Sequence, residues 1–331
     1  MMELIWHKSI YELSNTWKKL EAGGRPFQSY KINSQVFKRR LLYTARSRSR
    51  MVYAEVKDES GTILIIPLIK NRNGTLYSLS NVNGLKNYDI IFDTSQEPLK
   101  VVKGIDFFFD SVSNRVELDD VTQMSPLIKW TEHSDHDVVI EKIEQIRIPY
   151  QSSYEDYISG LSKSAKQNIR TAYNRMNNDN RNYSFKCYFG EPIPPDKQQK
   201  ILNVCCKRRS EKYHNASVLH SFYLKYLDWI TEECQTNHFA FNAVLEIDGE
   251  VAAFMSGFEN RFEDEISIPR LAIDATFSRY SPGIILLNET AKVLTETQRT
   301  KFFDLYGATA PYKKQMGGQL YYKYRIIKEV K

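Results

Sequence analysis

Several features that assign a chain to a special class are missing from these 331 residues. No apolar run approaches the roughly 18 residues that a membrane-spanning helix needs. The first residues do not show the basic and then apolar layout of a signal peptide. The four cysteines, at positions 187, 205, 206 and 234, form no CxxC pair, which argues against a disulfide framework and fits a reducing compartment. We therefore expect a cytoplasmic protein without a membrane span.

The histidines give no sign of a metal site. His133 and His136 are three residues apart in a polar stretch rather than on a predicted helix, and His214 and His220 have no clear ligand partner nearby. Because a zinc site needs several ligands at regular spacing, we expect no metal.

The charge is only moderately one-sided, with 46 Lys and Arg against 40 Asp and Glu, a net charge of +6. This surplus is compatible with an anionic cofactor or substrate, or with a membrane surface that bears anionic lipid. Nucleic-acid-binding proteins usually carry denser basic patches. We therefore expect no nucleic-acid partner.

The length favours two domains of about 150 residues each. Both halves show two helical stretches followed by two strands joined at a turn, at 59–61 in the first half and 248–249 in the second. In the second half, helices are predicted at 154–161, 164–176, 196–213 and 221–236. The pattern predicts a duplicated α/β unit, with domains at 1–147 and 148–331.

The most informative segment runs from 271 to 314. A strand is predicted at 271–277, and a loop ending in Ser281, Pro282 and Gly283 leads into a helix with apolar residues at 284, 287, 291 and 294. Proline suits the first helical turn, where its missing N–H has no partner to lose. A loop that feeds a helix in this way leaves backbone N–H groups available to an anion, although a plain turn also uses a Pro-Gly pair. A strand at 301–307 follows, so the unit could hold a pyrophosphate, and the first half has no comparable loop.

These motifs resemble the acetyltransferase family first associated with bacterial cellulose biosynthesis, a branch of the GNAT superfamily. The resemblance rests on the loop and helix at 281–287, on Asp304, Gly307 and the pair Tyr312-Lys313, on the stretch 161–170, and on short motifs at 65–68 and 87–89. It implies an α/β fold of two GNAT-like domains, each a mixed central β-sheet flanked by helices. The N-terminal domain would lack a coenzyme A loop, and the C-terminal domain would hold the acyl-CoA site.

The resemblance also implies a reaction. An amine would attack the thioester of acetyl-CoA or another acyl-CoA directly, with no covalent enzyme intermediate. The acceptor would be a small amine or an amino-sugar intermediate of cell-envelope or exopolysaccharide synthesis. The cofactor loop would comprise Arg279, Tyr280, Ser281, Pro282, Gly283 and Ile284.

Three residues near this loop are candidates for catalysis. Asp274 lies in an apolar segment, where partial burial would raise its pKa and suit a general base, or it is simply a charge partner for Arg270. Asp304 would orient the substrate or cap the following loop. Tyr312 would protonate the departing thiolate or merely pack.

Basic residues provide candidates for substrate binding. Lys163, Lys166 and Arg170 follow a 3, 4 spacing on one helical face, and Lys313 belongs to the Tyr-Lys pair. They would bind an anionic acceptor such as a nucleotide sugar or a lipid pyrophosphate, or the helix would present an ordinary solvated face.

Two alternatives stay open. Fem-type peptidoglycan aminoacyl transferases, which the chain also resembles in outline, share the tandem fold and use aminoacyl-tRNA. They typically carry a coiled-coil arm, and no long heptad stretch is present here. A non-catalytic binding protein that kept the GNAT fold is the other alternative. The sequence does not predict the oligomeric state.

Overall fold

The computed structural model describes residues 1–21, 25–40, 44, 48–80, 87–212, 237–307 and 309–330, without the side chains of 209–212. The predicted helix at 221–236, the predicted helix end at Tyr213, and the residues His214, His220 and Cys234 lie outside this description. None of the described helices combines the length and the apolar character needed to cross a membrane.

The chain divides into two compact units, Met1–Gln145 with Tyr321–Lys331 (unit 1) and Ile146–Leu320 (unit 2). The predicted division ended the first domain at 147 and placed everything after it in the second. The prediction that all residues after 147 belong to the second domain needs correction, because the last strand of the chain pairs within unit 1.

Unit 1 contains four of the described α-helices and most of the strands of one sheet. The helices are α1 (Ser14–Leu20), α2 (Tyr30–Lys38), α3 (Pro98–Ser111) and α4 (Pro126–His133). The strands are β1 (Glu3–His7), β2 (Arg50–Asp58), β3 (Gly61–Lys70), β4 (Leu76–Ser78), β5 (Ile91–Phe92), β6 (Val116–Val121) and the beginning of β7 (Val138–Pro149).

Unit 2 contains the end of β7 and the remaining elements. Its helices are α5 (Tyr154–Gly160), α6 (Lys163–Asn178), α7 (Pro195–Lys212), α8 (Pro282–Thr297) and α9 (Pro311–Gln315). Its strands are β8 (Tyr183–Phe189), β9 (Ala240–Ile247), β10 (Glu250–Asn260), β11 (Glu265–Ile273) and β12 (Phe302–Asp304), and β13 (Gln319–Lys328) returns to unit 1.

The strands of the two units follow the same order. In unit 1 the order is β1-β2-β3-β4-β6-β13, and in unit 2 it is β8-β9-β10-β11-β12-β7. Each unit has one parallel pair, β4 with β6 and β11 with β12, and every other neighbouring pair with a described register is antiparallel. In each unit one helix, α3 or α8, connects the two parallel strands. The predicted α/β fold of two GNAT-like domains, each a mixed sheet flanked by helices, is confirmed.

Local sequence explains where several helices begin. Serine side chains at positions 29, 125, 153 and 162 accept a backbone N–H of the first turn of α2, α4, α5 and α6. Such caps stabilise a helix by about 1 kcal/mol. Each unit then buries its own apolar core: α3 packs with β2 and β3 in unit 1, and α6 and α8 pack on β9, β10 and β11 in unit 2.

The predicted strand at 271–277 is wrong in its second half. Strand β11 begins earlier, at Glu265, and ends at Ile273, and residues Ala275–Tyr280 form a 3-10 helix. The reason is local, because the Asp274 side chain accepts the N–H of Thr276 at 2.9 Å and so caps the short helix.

Candidate functional site

A cavity of about 480 Å³ lies in unit 2 where the two parallel strands separate. β11 and β12 pair only from Glu265 to Ser267 and from Phe302 to Asp304. Beyond that point β11 continues to Ile273, and the space beside it is bounded by α6, α7, α8 and α9. Most of the wall is apolar, and the lining residues are Ala165, Asn168, Arg208, Leu271, Ile273, Ser278, Ser281, Pro282, Gly283, Ile284, Leu287, Tyr312, Gln315 and Met316.

The beginning of α8 forms one wall of this cavity. Ser281 adopts the left-handed conformation (φ 51°) and Pro282 occupies the first turn. The N–H groups of Ile284 and Ile285 both point to the carbonyl of Ser281, at 2.9 and 3.4 Å. Within the described part of the chain, only the N–H of Gly283 in this first turn has no acceptor. The helix therefore offers an anion one open backbone donor rather than several.

The other two residues of the predicted cofactor loop face elsewhere. Arg279 is exposed and donates two hydrogen bonds to Asp179, at 2.7 and 3.2 Å. Tyr280 is buried, and its hydroxyl lies 3.1 Å from both Asp179 and the Arg181 side chain. The Arg279 guanidinium holds the pKa of Asp179 below its ordinary value. Of the six predicted residues, Ser281, Pro282, Gly283 and Ile284 line the cavity, and Arg279 and Tyr280 do not.

Asp274 directly follows β11, and contacts with neighbouring residues hold its carboxylate in place. Its carboxylate caps the 3-10 helix and lies 2.8 Å from the Lys207 ammonium. Partial burial disfavours the charged form, but the hydrogen bonds from Lys207 and Thr276 outweigh it, so the pKa of Asp274 is lowered. The raised pKa expected for a general base is therefore wrong.

Tyr312 faces the cavity from the beginning of α9. Burial, and next the Asp304 carboxylate, raise the pKa of its phenol, so the hydroxyl keeps its proton at neutral pH. Its ring is 43% exposed, so a ligand in the cavity can reach it. The position suits a proton donor.

Asp304 and Lys313 are both buried near the end of β12. The Asp304 carboxylate accepts the N–H of Tyr306 at 2.8 Å. The Lys313 ammonium donates to the carbonyl of Tyr306 and, at 2.9 Å, to that of Gly307. Both of these turn residues have positive φ, 50° and 76°. The two side chains thus fix the turn that follows β12, and Lys313 does not line the cavity.

Helix α6 turns its basic residues away from the cavity. Lys163 and Arg170 are exposed, and the Lys166 ammonium donates to the carbonyl of Ser159 at 2.8 Å. The opposite face of α6 presents Ala165 and Asn168 to the cavity. The structure therefore does not bring the predicted substrate-binding residues of α6 to this site, and their role stays a prediction.

Sequence reasoning missed four polar lining residues, Asn168, Arg208, Ser278 and Gln315. Arg208 could not be found by pattern, because it lies on α7, far along the chain from the loop. Asn168 is an exposed polar residue of α6, one turn after the buried Ala165, and its sequence position carried only a weak signal.

The corresponding place in unit 1 is filled by the chain itself. Tyr88 bridges in parallel to Val121 at the end of β6, and its N–H donates to Asp120 at 3.1 Å. Asp89 is buried in an ion pair with Arg25. The segment 87–89, a motif noted in the sequence, thus lies between the diverging strands β4 and β6. Helix α3 in addition begins with Glu97 at its N-cap, where a carboxylate would repel a bound phosphate.

Residues 163–314 match the family model described as acetyltransferase (GNAT) domain. This segment is therefore similar in sequence to GNAT acetyltransferase domains. The match does not separate the branch associated with cellulose biosynthesis from other branches, so that finer resemblance stays a prediction. No curated protein sequence matches the chain.

Solved structures are similar over most of the chain. FemX shares 9% identity with a TM-score of 0.58, over 98% of this chain and 96% of that chain. A conserved protein of unknown function from Bacteroides thetaiotaomicron shares 10% identity with a TM-score of 0.55, over 99% and 100%. The C-terminal domain of a protein assigned as a lysylphosphatidylglycerol synthetase, from Agrobacterium fabrum, shares 13% identity with a TM-score of 0.55, over 83% of each chain. At these identities the similarity shows the fold.

Proposed function

We propose that the protein transfers an aminoacyl group from an aminoacyl-tRNA to an amine, with the cavity beside α8 as the site of transfer. The observation that carries this proposal is the first turn of α8. A coenzyme A diphosphate is held best by several N–H groups at a helix N-terminus. Here Pro282 has no N–H, Ile284 and Ile285 point to Ser281, and Gly283 supplies one donor. An acyl-donor substrate whose phosphates bind outside this cavity therefore fits this wall better than coenzyme A does.

The names of two similar structures support the same donor. One is FemX, and Fem-type enzymes use aminoacyl-tRNA; the other is named for joining lysine to phosphatidylglycerol. This proposal reverses the preference for acetyl-CoA and the expectation of no nucleic-acid partner. The net charge of +6 is compatible with transient tRNA binding.

The chemistry needs no covalent enzyme intermediate. The acceptor nitrogen attacks the ester carbonyl, an N–C bond forms, and the C–O bond to the ribose breaks. Tyr312 gives its phenolic proton to the leaving ribose oxygen and takes one from the attacking amine, so that it ends the cycle protonated. The raised pKa of the phenol suits this role, and the lowered pKa of Asp274 makes that carboxylate the weaker base. Holding the two reactants together would supply much of the remaining rate.

Acetyl-CoA is the second candidate donor. The match of 163–314 to a domain family described as acetyltransferase favours it, and the Ser281, Pro282 and Gly283 loop does form part of the cavity. The acceptor under either donor remains the amine of a cell-envelope intermediate, a role taken from the family resemblance alone.

Binding measurements separate the donors. We expect bulk aminoacylated tRNA to shift the protein in a gel at physiological salt, with affinity falling as salt rises. We expect CoA and acetyl-CoA at millimolar concentration to give no saturable heat in calorimetry. Saturable CoA binding without tRNA binding would select the second candidate. Transfer of a labelled amino acid to a panel of amines, with Tyr312→Phe as the matched inactive variant, then separates an enzyme from a non-catalytic binding protein.

A further inference from the structure

Two carboxylates and an imidazole converge in unit 1, far along the chain from the transferase domain. Asp106 and Asp110 are one helical turn apart on α3, and His136 precedes β7. The His136 Nε2 atom lies 3.5 Å from Asp106 Oδ1 and 3.4 Å from Asp110 Oδ1. One nitrogen or oxygen atom from each residue lies within 4.8 Å of the other two.

The side chain of His136 is buried, and among the described residues it has no hydrogen-bond partner at normal distance. Its side chain is 6% exposed, and its ring lies against Phe109 and Trp130 with centroids 6.2 and 5.7 Å away. Its Nδ1 atom is buried without a hydrogen-bond partner in the described part of the chain. The other edge of the ring points at the two carboxylates over distances longer than a good hydrogen bond. The Nε2 atom, on the edge of the ring that faces the carboxylates, is therefore the atom that an ion between the three side chains would contact.

The charges on α3 also favour a bound cation. Two carboxylates at i and i+4 on a helix repel one another. Asp110 lies in the last turn, where the helix dipole disfavours negative charge, and that turn contains no basic residue. Trp130 Nε1 donates at 3.0 Å to Asp106 Oδ1, the same oxygen that faces His136, and this hydrogen bond holds the carboxylate in its orientation.

We propose that Asp106, Asp110 and His136 bind a zinc ion, with water in the open fourth position. The imidazole argues against Ca²⁺ and Mg²⁺, which take oxygen ligands. A tetrahedral ion with bonds of about 2.1 Å separates its ligands by about 3.4 Å, close to the two distances from His136. An octahedral ion with the same bond length needs ligands about 3.0 Å apart. The ion would fasten the C-terminal end of α3 to the segment that leads into β7.

This proposal reverses the expectation of no metal, which rested on ligand spacing; the aspartates lie 26 to 30 residues before the histidine, so no spacing motif marks the site. The competing interpretation is a protonated His136 that neutralises part of the carboxylate charge without a metal. The two interpretations predict opposite results when zinc is added to metal-free protein.

The test uses full-length, tag-free protein treated with a chelator. We expect calorimetry with ZnCl₂ to show one saturable site. At a hundredfold excess over the dissociation constant, zinc should raise the melting temperature by roughly 5 °C. Co²⁺ in place of zinc should give the intense visible absorption of a tetrahedral ion.

The variants make the result specific. His133→Ala is the matched control, because His133 is an exposed histidine three residues away whose Nδ1 atom lies 2.9 Å from the Lys129 carbonyl, and it should bind zinc like wild type. His136→Ala and Asp110→Asn should each weaken binding at least tenfold. Asp110 is 62% exposed, so its variant should remain folded even if His136→Ala does not. No saturable zinc site in wild type, or equal affinity in Asp110→Asn, would overturn the proposal.

Discussion

Ile273 lies directly against Gly283, so a β-carbon at position 283 would come within 2.6 Å of Ile273 Cδ1. The glycine is thus required for the close approach of α8 to the end of β11. Sequence reasoning attributed it to a phosphate, whereas the neighbour that the structure shows is a side chain. Because Ile273 and Gly283 both line the cavity, a larger side chain at position 283 would reduce the space inside it.

Gly283→Ala should therefore narrow the cavity rather than unfold the protein. The new methyl should push the end of Ile273 into the open space, since that end of the side chain is free to move. We expect the free energy of unfolding, measured in urea, to change by less than about 1 kcal/mol. Affinity for the donor should fall about tenfold, equivalent to about 1.4 kcal/mol. Adding Ile273→Val removes the colliding Cδ1 atom and should restore most of the affinity; an unchanged loss in the double variant would show that Gly283 contacts the donor itself.

Asp274→Asn tests whether this carboxylate is a base or a cap. Asparagine caps a helix nearly as well as aspartate, so the variant should retain turnover within a few-fold. A general base would instead cost about 10²-fold to 10⁴-fold. A loss of that size in Asp274→Asn, with the fold intact by circular dichroism, would restore the catalytic assignment.

Asp274→Ala should show the stability that the cap provides and its dependence on pH. We expect a loss of about 1 kcal/mol at pH 7. The pKa of Asp274 is lower in the folded chain than in the unfolded chain, so the charged carboxylate stabilises the fold above its ordinary pKa of about 4. This stabilisation by the charged carboxylate is lost as the pH falls through the pKa that Asp274 has in the folded chain. The free energies of unfolding of variant and wild type, measured in urea, should therefore differ less near pH 3 than at pH 7. A difference near pH 3 that is equal or larger would contradict this account.

Tyr312→Phe should separate binding from chemistry. Removal of the hydroxyl alone should leave donor affinity nearly unchanged and reduce turnover about a hundredfold. Because the pKa of Tyr312 is raised, wild-type turnover should not decline between neutral pH and about pH 9 through loss of this proton. Equal turnover in Tyr312→Phe and wild type would assign the residue to packing.

Lys313→Met should destabilise the turn after β12. It removes an ammonium that donates to the carbonyls of Tyr306 and Gly307 and leaves these part-buried acceptors without those hydrogen bonds. We expect a loss of about 2 kcal/mol or more in the free energy of unfolding, since hydrogen bonds to charged groups contribute about 1.5–3 kcal/mol each. The matched control is Lys314→Met at the neighbouring exposed position, which should change stability by less than about 0.5 kcal/mol. Similar losses in both variants would argue against a special role for Lys313.

Patterns of short range predicted most of the architecture. The turn at 59–61 was identified as the hairpin that joins β2 and β3, whereas β1 and β13 were not predicted. The same patterns misplaced the end of β11, because the capping hydrogen bond of Asp274 ended the strand early. At the candidate site the loop at 281–284 was found from Pro282 and Gly283. Arg279 was predicted to bind the cofactor; its ion pair with Asp179 was not foreseen, because such a contact leaves no trace in the local sequence.

The sequence by itself determined the α/β class, the repeated scheme of its two halves and the position of the loop before α8. These depend on the backbone preferences and apolar spacing of neighbouring residues, which a local stretch contains in full. Only the tertiary structure decided that β13 pairs with β6 in unit 1 and that Ile273 lies against Gly283. It also decided that the side chains of Asp106, Asp110 and His136 lie close together. Those relationships join residues that are distant in the chain, and they form only when the cores of the two units bury their apolar faces and bring separate elements together.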